Sequence, residues 1–381
     1  MKFVLFYHSL VSDWNHGNAH FLRGVASELL ARGHVVEIYE PADAWSRANL
    51  VAEHGHAPLA AFAERFPRLR SHRYDATLDL DRVLDGADVV VVHEWNAPEL
   101  VARIGRHHRG ARAQHLLFHD THHRSVTAPE EMRRYDLRDY DGVLAFGDAV
   151  RRRYVENGWC ERAWTWHEAA DVRVFRPQPD GVEDGDLVWI GNWGDDERAR
   201  ELGEFLIAPV AALGLSAAVY GVRYPPAALA ALAQAGIAYR GWVANHRVPD
   251  VFARFRATVH VPRRPYVEAL PGIPTIRMFE ALACGVPLVS APWDDVEGLF
   301  APGADYLVAG DGADMRRKLG LLLHDAPFAA ELAAHGLRTI RARHTCAHRV
   351  DELMALLGEL QRAGDEAAVP AAAPEGCSAH A

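Results

Sequence analysis

No stretch of the sequence is apolar for the roughly 20 residues that a membrane-spanning helix needs, so no integral membrane segment is expected. The opening Met1-Lys2 leads into Phe3-Val4-Leu5-Phe6-Tyr7 and turns polar at His8-Ser9, an apolar run too short for a secretory signal. Cysteine is scarce. Cys160, Cys284, Cys346 and Cys377 stand far apart and form neither a metal pair nor a redox pair, so no disulfide is expected and a cytoplasmic protein with reduced thiols is the simplest reading. Positive charge is also short, with 41 Lys and Arg against 51 Asp and Glu and a net charge of -10. That balance argues against a nucleic-acid partner, whose phosphates call for a surplus of basic side chains. Marks of disorder are missing too, because 49% of residues are hydrophobic and 24% charged.

A chain of 381 residues is long for one hydrophobic core, and two domains are expected. Phe3 to Tyr7 reads as a buried strand, and Phe21, Leu22, Val25, Leu29 and Leu30 fall at helical spacing between Ala19 and Arg32. Gly33 ends that helix, and His34 to Tyr39 resumes as a parallel strand. Further strands are read at Ala87 to Val92, Gln114 to Phe118 and Gly142 to Phe146, and Phe175 to Gly185 reads as a linker. The pattern then restarts. Strands are expected at Leu187 to Ile190, Ala217 to Tyr220, near Val259 and at Pro287 to Ser290. Helices are expected at Glu197 to Leu213, Ala227 to Ala235 and Thr275 to Cys284. Strands alternating with helices imply an α/β fold with parallel sheets, whose ligands bind beyond the carboxyl ends of the strands. A last helix, Ala347 to Arg362, has one apolar face, and the Ala- and Pro-rich tail beyond Gly364 is expected to be disordered.

The most informative segment runs from Leu270 to Ala291. Pro271 and Pro274 keep the approach extended, and Thr275, Ile276 and Arg277 open a helix whose free N–H groups and dipole suit a phosphate. Arg277 adds a positive charge, and Glu280 can accept hydrogen bonds from a vicinal diol such as a ribose. The loop Gly191-Asn192-Trp193-Gly194 follows a strand, its small residues let backbone come close to phosphates, and Arg198 lies just beyond. Arg263 and Arg264 end another strand, and neighbouring side chains of this kind point in different directions, so at most one of them is expected at a phosphate. Tyr220-Gly221 and Gly241-Trp242 end further strands and can frame a base.

In the N-terminal half, His119 and Asp120 follow a strand, as does Glu94, and all three are candidates for proton transfer or for holding a hydroxyl. The group His119, Asp120, His122 and His123 has ligand chemistry suited to zinc, but no second cluster supports it, and neither a metal nor another cofactor is expected. Gly17, in the loop after the first strand, is placed to meet a phosphate or acceptor across a cleft.

The segment around Arg277-Met-Phe-Glu280 resembles the donor-binding motif of the GT-B glycosyltransferases. The likeness extends to Gly33-His34-Val35 and to Asp171 to Pro177, and thus over nearly the whole chain. With Val188-Trp-Ile-Gly-Asn-Trp193, its wording is nearest to the spore-maturation, CgeB-like branch. The resemblance implies two Rossmann-like doubly wound domains facing a central cleft, with an acceptor-side domain over 1–175, a nucleotide-sugar domain over 176–346, a packing helix over 347–363 and a tail over 364–381. It implies that Glu280 holds the ribose, that backbone amides preceding it hold the diphosphate, and that His119 faces the transferred sugar. One departure stands out. The retaining members related to glycogen synthase and sucrose synthase carry a second glutamate eight residues before this one, and here that position is Gly272.

The function expected is sugar transfer from a nucleotide-diphosphate donor, whose donor-side residues are Glu280, Arg277, Thr275, Ile276, Gly191, Asn192, Arg198, Arg263, Arg264 and Gly17. The acceptor would be a small molecule, a glycan or a protein, and both the retaining and the inverting course stay open. A nucleotide-sugar epimerase or hydrolase of the same fold, or a catalytically silent nucleotide-binding protein, are the alternatives.

Overall fold

The computed structural model describes residues 1–110, 115–179 and 183–368, with side chains as far as residue 363. In the first half the strands are β1 (Lys2–Phe6), β2 (Val35–Pro41), β3 (Ser71–Tyr74), β4 (Val89–His93), β5 (His115–Asp120), β6 (Gly142–Ala145) and β7 (Ala163–Thr165). They form one parallel sheet in the order β3-β2-β1-β4-β5-β6-β7. In the second half, β8 (Gly185–Ile190), β9 (Ala217–Tyr220), β10 (Ile237–Tyr239), β11 (Phe255–His260), β12 (Leu288–Ser290) and β13 (Leu307–Val308) follow the same plan, β10-β9-β8-β11-β12-β13. Each sheet reverses direction beside its first strand, so each half is doubly wound and opens a crevice at the carboxyl ends of its central strands.

Burial on both faces makes the central strands continuous apolar runs. Phe3 to Phe6 are at most 1% exposed, and Leu5 lies between Ile38 and Val91 in register. Each such side chain stabilises the fold by roughly 1.5–3 kcal/mol. The second half has its own core around Leu187, Trp189, Val219, Val259 and Val289.

The four strands that hydrophobic patterning missed, β3, β7, β10 and β13, are the four sheet edges. They run two to four residues, and β3 reads Ser-His-Arg-Tyr, because an edge strand meets solvent and need not be apolar. The helix expected from Glu197 starts instead at Ala199, after a single tight turn at Asp195–Glu197, and reaches Leu213 through a π-helical turn at Gly203–Ile207. Phe175, read as the start of a linker, is fully buried, with the His20 ring stacked on it at 4.0 Å. The last helix, Cys346–Ala368, runs on past Gly364, and the rest of the expected tail, 369–381, lies outside the described residues, as do Asp180 to Val182 of the linker, Gln114 at the start of the expected third strand, and Cys377. That helix returns to the first half. Arg32 bonds to the Ala347 carbonyl at 3.0 Å and to Asp351 at 2.6 Å, so the chain's end closes over the helix Ala19–Ala31.

Candidate functional site

A cleft of about 700 Å³ lies where the carboxyl ends of the two sheets face one another. The loop after β1 reaches across to close one side. Asp13 accepts from Trp242 Nε1 at 3.1 Å and from the Asn245 backbone N–H at 3.0 Å, while Arg23 holds its carboxylate from behind at 2.8 Å. Asn15 bonds to Asn192 across the same gap, and Gly17 lies against Ile276.

On the C-terminal wall the loops after β8 and β9 come close together, because a Cβ at Gly221 would lie 2.0 Å from the Gly191 carbonyl oxygen. The helix Ile276–Ala283 points its N-terminus at the cleft. Thr275, at its N-cap, turns its hydroxyl to His260 Nε2 at 3.1 Å and caps no helix amide, so the first N–H groups are left for a ligand. Three arginines surround them: Arg198, Arg263 and Arg277 all line the cleft. Arg263 pairs with Glu197 at 2.7 Å, and Arg277 pairs with Glu280. Arg198 has no carboxylate partner among the described residues. It is 7% exposed, lies over the Trp189 ring at 5.1 Å and donates only to the carbonyls of Val261 and Asn192, with its Nε unsatisfied. Burial, with the charges of Arg263 added, lowers its pKa to about 9, so it stays charged at neutral pH.

Glu280 does not line the cleft. It is fully buried under the helix start, where Oε1 accepts from His20 Nδ1 and Asn245 Nδ2, both at 2.8 Å, and Oε2 meets Arg277. His20 Nε2 accepts the Asp171 backbone N–H at 2.8 Å, which fixes the proton on Nδ1 and ties the Ile276–Ala283 helix to the first half. Burial works to raise the Glu280 carboxyl, but Arg277, His20 and Asn245 together hold it below its ordinary value.

On the N-terminal wall the structure redistributes the expected roles. His119 is 1% exposed, still within β5, and packed against Trp166 at 4.9 Å and Phe21 at 6.0 Å; it does not reach the cleft. Burial lowers its pKa to about 3, so the ring is neutral. Asp120 is spent on Tyr154 at 2.8 Å and the His122 N–H at 2.9 Å, and burial together with the charge of Glu94 pushes its carboxyl well up. Glu94 is fully buried and held by Arg124 at 2.7 Å and the Thr121 N–H at 3.0 Å. Arg264 turns outward to Glu201 at 3.2 Å, which leaves Arg263 as the arginine of that pair in the cleft.

The zinc-like group does not converge, and among the described residues no cluster of three or more His, Cys, Asp or Glu is spaced to hold a metal. His122, three residues beyond His119, is the member of this group that lines the cleft, edge-on to Trp95 at 5.1 Å; burial and the charges of His123, Arg124 and Arg263 keep it neutral. Sequence reasoning also missed Asp13, Trp45, Trp95, Asn245 and Glu168 on the cleft walls. Trp95 was findable, because it follows a strand that was read, whereas Glu168 follows β7, too short to read.

Residues 198–355 match the family model described as glycosyl transferase-like. No curated protein matches the sequence. Solved structures do. Sucrose-phosphate synthase from Thermosynechococcus elongatus is 14% identical over 95% of this chain and 100% of its own, with a TM-score of 0.66. Anabaena HepE in complex with UDP is 14% identical over 94% of this chain and all of its own, with a TM-score of 0.66. An S. aureus TarM mutant in complex with fondaparinux, alpha-GlcNAc-glycerol and UDP is 10% identical over 93% and 99%, with a TM-score of 0.63. None of these singles out the spore-maturation branch. The chain has the GT-B fold, and its residues 198–355 are similar to the glycosyl transferase-like family.

Proposed function

We propose that the cleft binds a nucleoside-diphosphate sugar, with the diphosphate between Arg198 and the start of the Ile276–Ala283 helix, and that the sugar is passed to an acceptor entering along the N-terminal wall. The observation that carries this is Arg198. A buried guanidinium without a counter-ion is costly, and here it faces an uncapped helix N-terminus and two further arginines. An anion with more than one charge completes that arrangement. Tyr220 and Trp242 at the far end of the same wall suit a base. As the glycosidic bond breaks, negative charge gathers on the leaving diphosphate, where these donors already point.

The diphosphate also offers Arg277 a stronger partner than Glu280. Drawing Arg277 away frees Glu280 Oε2 for a ribose hydroxyl, which reconciles the buried position of Glu280 with the role its motif implies. Neighbours of the same fold are solved with UDP and UDP-glucose, which makes these the first ligands to try. The acceptor side presents Trp45 and Trp95, whose faces suit a carbohydrate, and His16 and His122 line the same cleft. The test is calorimetry of UDP, GDP and uridine against the intact chain, followed by nucleotide release from UDP-glucose and GDP-mannose with and without a glycan panel. Diphosphate binding far tighter than nucleoside binding, with release that depends on an acceptor, is the expected result. Equal binding of UDP and uridine would overturn the placement of the phosphates, and release indifferent to every acceptor would make the protein a hydrolase.

A further inference from the structure

Three carboxylates line the cleft: Asp13, Asp195 and Glu168. Asp13 is occupied by Arg23, Trp242 and Asn245, and Asp195 is exposed and pairs with Arg223 at 3.3 Å. Glu168 differs. It is 3% exposed, and its Oε1 is buried without any hydrogen-bond partner. Polar atoms are seldom buried without a protein partner, because each costs about 1–3 kcal/mol of desolvation, so one that faces a cleft is suited to a hydrogen bond with what the cleft binds.

The backbone that carries this side chain is held on both sides. Arg349 Nε donates to the His167 carbonyl at 2.9 Å, and the His167 ring bridges the Phe146 carbonyl at 3.0 Å and Glu297 at 3.0 Å. The carboxyl is thus aimed into the cleft by its neighbours, and Phe146, Tyr266 and Arg277 line the same cleft. Burial, with the charge of Glu280 added and only partly offset by Arg277, pushes it well above the ordinary carboxylate range and so favours the neutral acid. A neutral carboxyl offers one donor and one acceptor, and that pair fits hydroxyl groups, each of which both donates and accepts.

Position 272 cannot do this work. Gly272 has φ +87, and a Cβ there would lie 2.9 Å from both Glu297 Cγ and Val296 Cγ2. Glu297 is itself spent on the Asp148 N–H at 2.9 Å and on His167.

We infer that Glu168, reaching in from the N-terminal half, binds the hydroxyls of the transferred sugar and so takes part in choosing the donor. The inference rests on the nucleotide-sugar reading of the cleft, and the test separates the two. The intact chain and its Glu168→Ala and Glu168→Gln variants are titrated with UDP, GDP, UDP-glucose and GDP-mannose, and the nucleotide that the parent binds sets the comparison. Glu168→Ala should bind the nucleoside diphosphate within twofold of the parent and the nucleotide sugar at least tenfold more weakly. Glu168→Gln, which keeps one donor and one acceptor, should recover most of that loss and most of the turnover. An alanine variant that binds the nucleotide sugar as the parent does overturns the inference. So does a glutamine variant that binds the sugar normally yet does not turn over, because that is the behaviour of a proton acceptor. If the parent binds none of the four ligands, the nucleotide-sugar reading falls, and this inference with it.

Discussion

Replacing Arg198 by Met should separate binding from stability, because its guanidinium serves the ligand at the expense of the empty fold. Each charge-assisted hydrogen bond to a phosphate is worth ~1.5–3 kcal/mol, so Arg198→Met should weaken UDP binding by roughly ten- to a hundred-fold. In the empty protein the balance differs. Burial, helped by Arg263 and Arg277, lowers Arg198 from the ordinary guanidinium range to about 9. At about 1.4 kcal/mol per pH unit, the charged form costs the fold on the order of several kcal/mol. A base with a depressed folded-state pKa weakens the fold at every pH below that value, and the penalty is relieved only as pH rises through about 9 toward the ordinary guanidinium range. Against it stand the hydrogen bonds to Val261 and Asn192, whose carbonyls would be left unpaired at about 1–3 kcal/mol each, and the contact with Trp189. The two sides come close to cancelling. The melting temperature of Arg198→Met should therefore stay within about 2–4 °C of the parent at pH 7.5, while UDP affinity collapses and uridine affinity does not. Thermal denaturation and calorimetry on one preparation decide it. Retained UDP affinity, or a parallel loss for uridine, would refute the assignment of Arg198 to the diphosphate.

Three further outcomes follow from the same geometry. His119→Ala should cost ~2–4 kcal/mol of stability, because it empties a site between Trp166 and Phe21, yet turnover per folded molecule should hold; loss of turnover at unchanged melting temperature would return His119 to the chemistry. Gly272→Ala should destabilise by about 1–3 kcal/mol in urea denaturation, since φ +87 and the 2.9 Å approach to Glu297 and Val296 both oppose a side chain, and a neutral result would mean that this loop yields easily. Glu168 has a raised folded-state pKa, so its contribution to stability is complete below about 4.3 and is lost as pH climbs toward the raised value. Glu168→Gln should therefore match the parent in melting temperature near pH 4 and exceed it increasingly toward pH 8; a constant difference would mean that the carboxyl titrates normally.

The central strands of both sheets were legible because burial on two faces leaves only apolar residues, and the edges were not, because a strand such as Ser71–Tyr74 answers to solvent on one side. In the site, the helix Ile276–Ala283 was legible from Pro274, Thr275 and Arg277, local signals that sit together in sequence. The placement of His119 turned on two residues. Reading the third strand as ending at Phe118 puts His119 in a loop, whereas β5 continues to Asp120 and the chain enters the cleft only from Thr121, which makes His122 the histidine that arrives there. Glu94 was misplaced for another reason: the partner that occupies it, Arg124, lies 30 residues away, and no local pattern announces that pairing. The same holds for Glu280, whose partners His20 and Asn245 come from other elements.

Arg198 and Glu168 line the same cleft from the two halves of the chain, and neither has a charged partner among the described residues. Were the cleft only a seam between two halves, each of these buried groups would be expected to find a partner of its own, as Glu94 does in Arg124. Instead Arg198 is kept in place by the carbonyls of Val261 and Asn192 and the face of Trp189, and Glu168 by a backbone that Arg349 and His167 hold. Neither restraint satisfies the group it positions. Both impose a cost on the empty protein that only an occupant can return, and the occupant must bring negative charge to one side and hydroxyl groups to the other. A phosphate joined directly to a sugar has both features within one molecule, which is why the two unsatisfied groups, taken together, argue for a nucleotide sugar more strongly than either does alone.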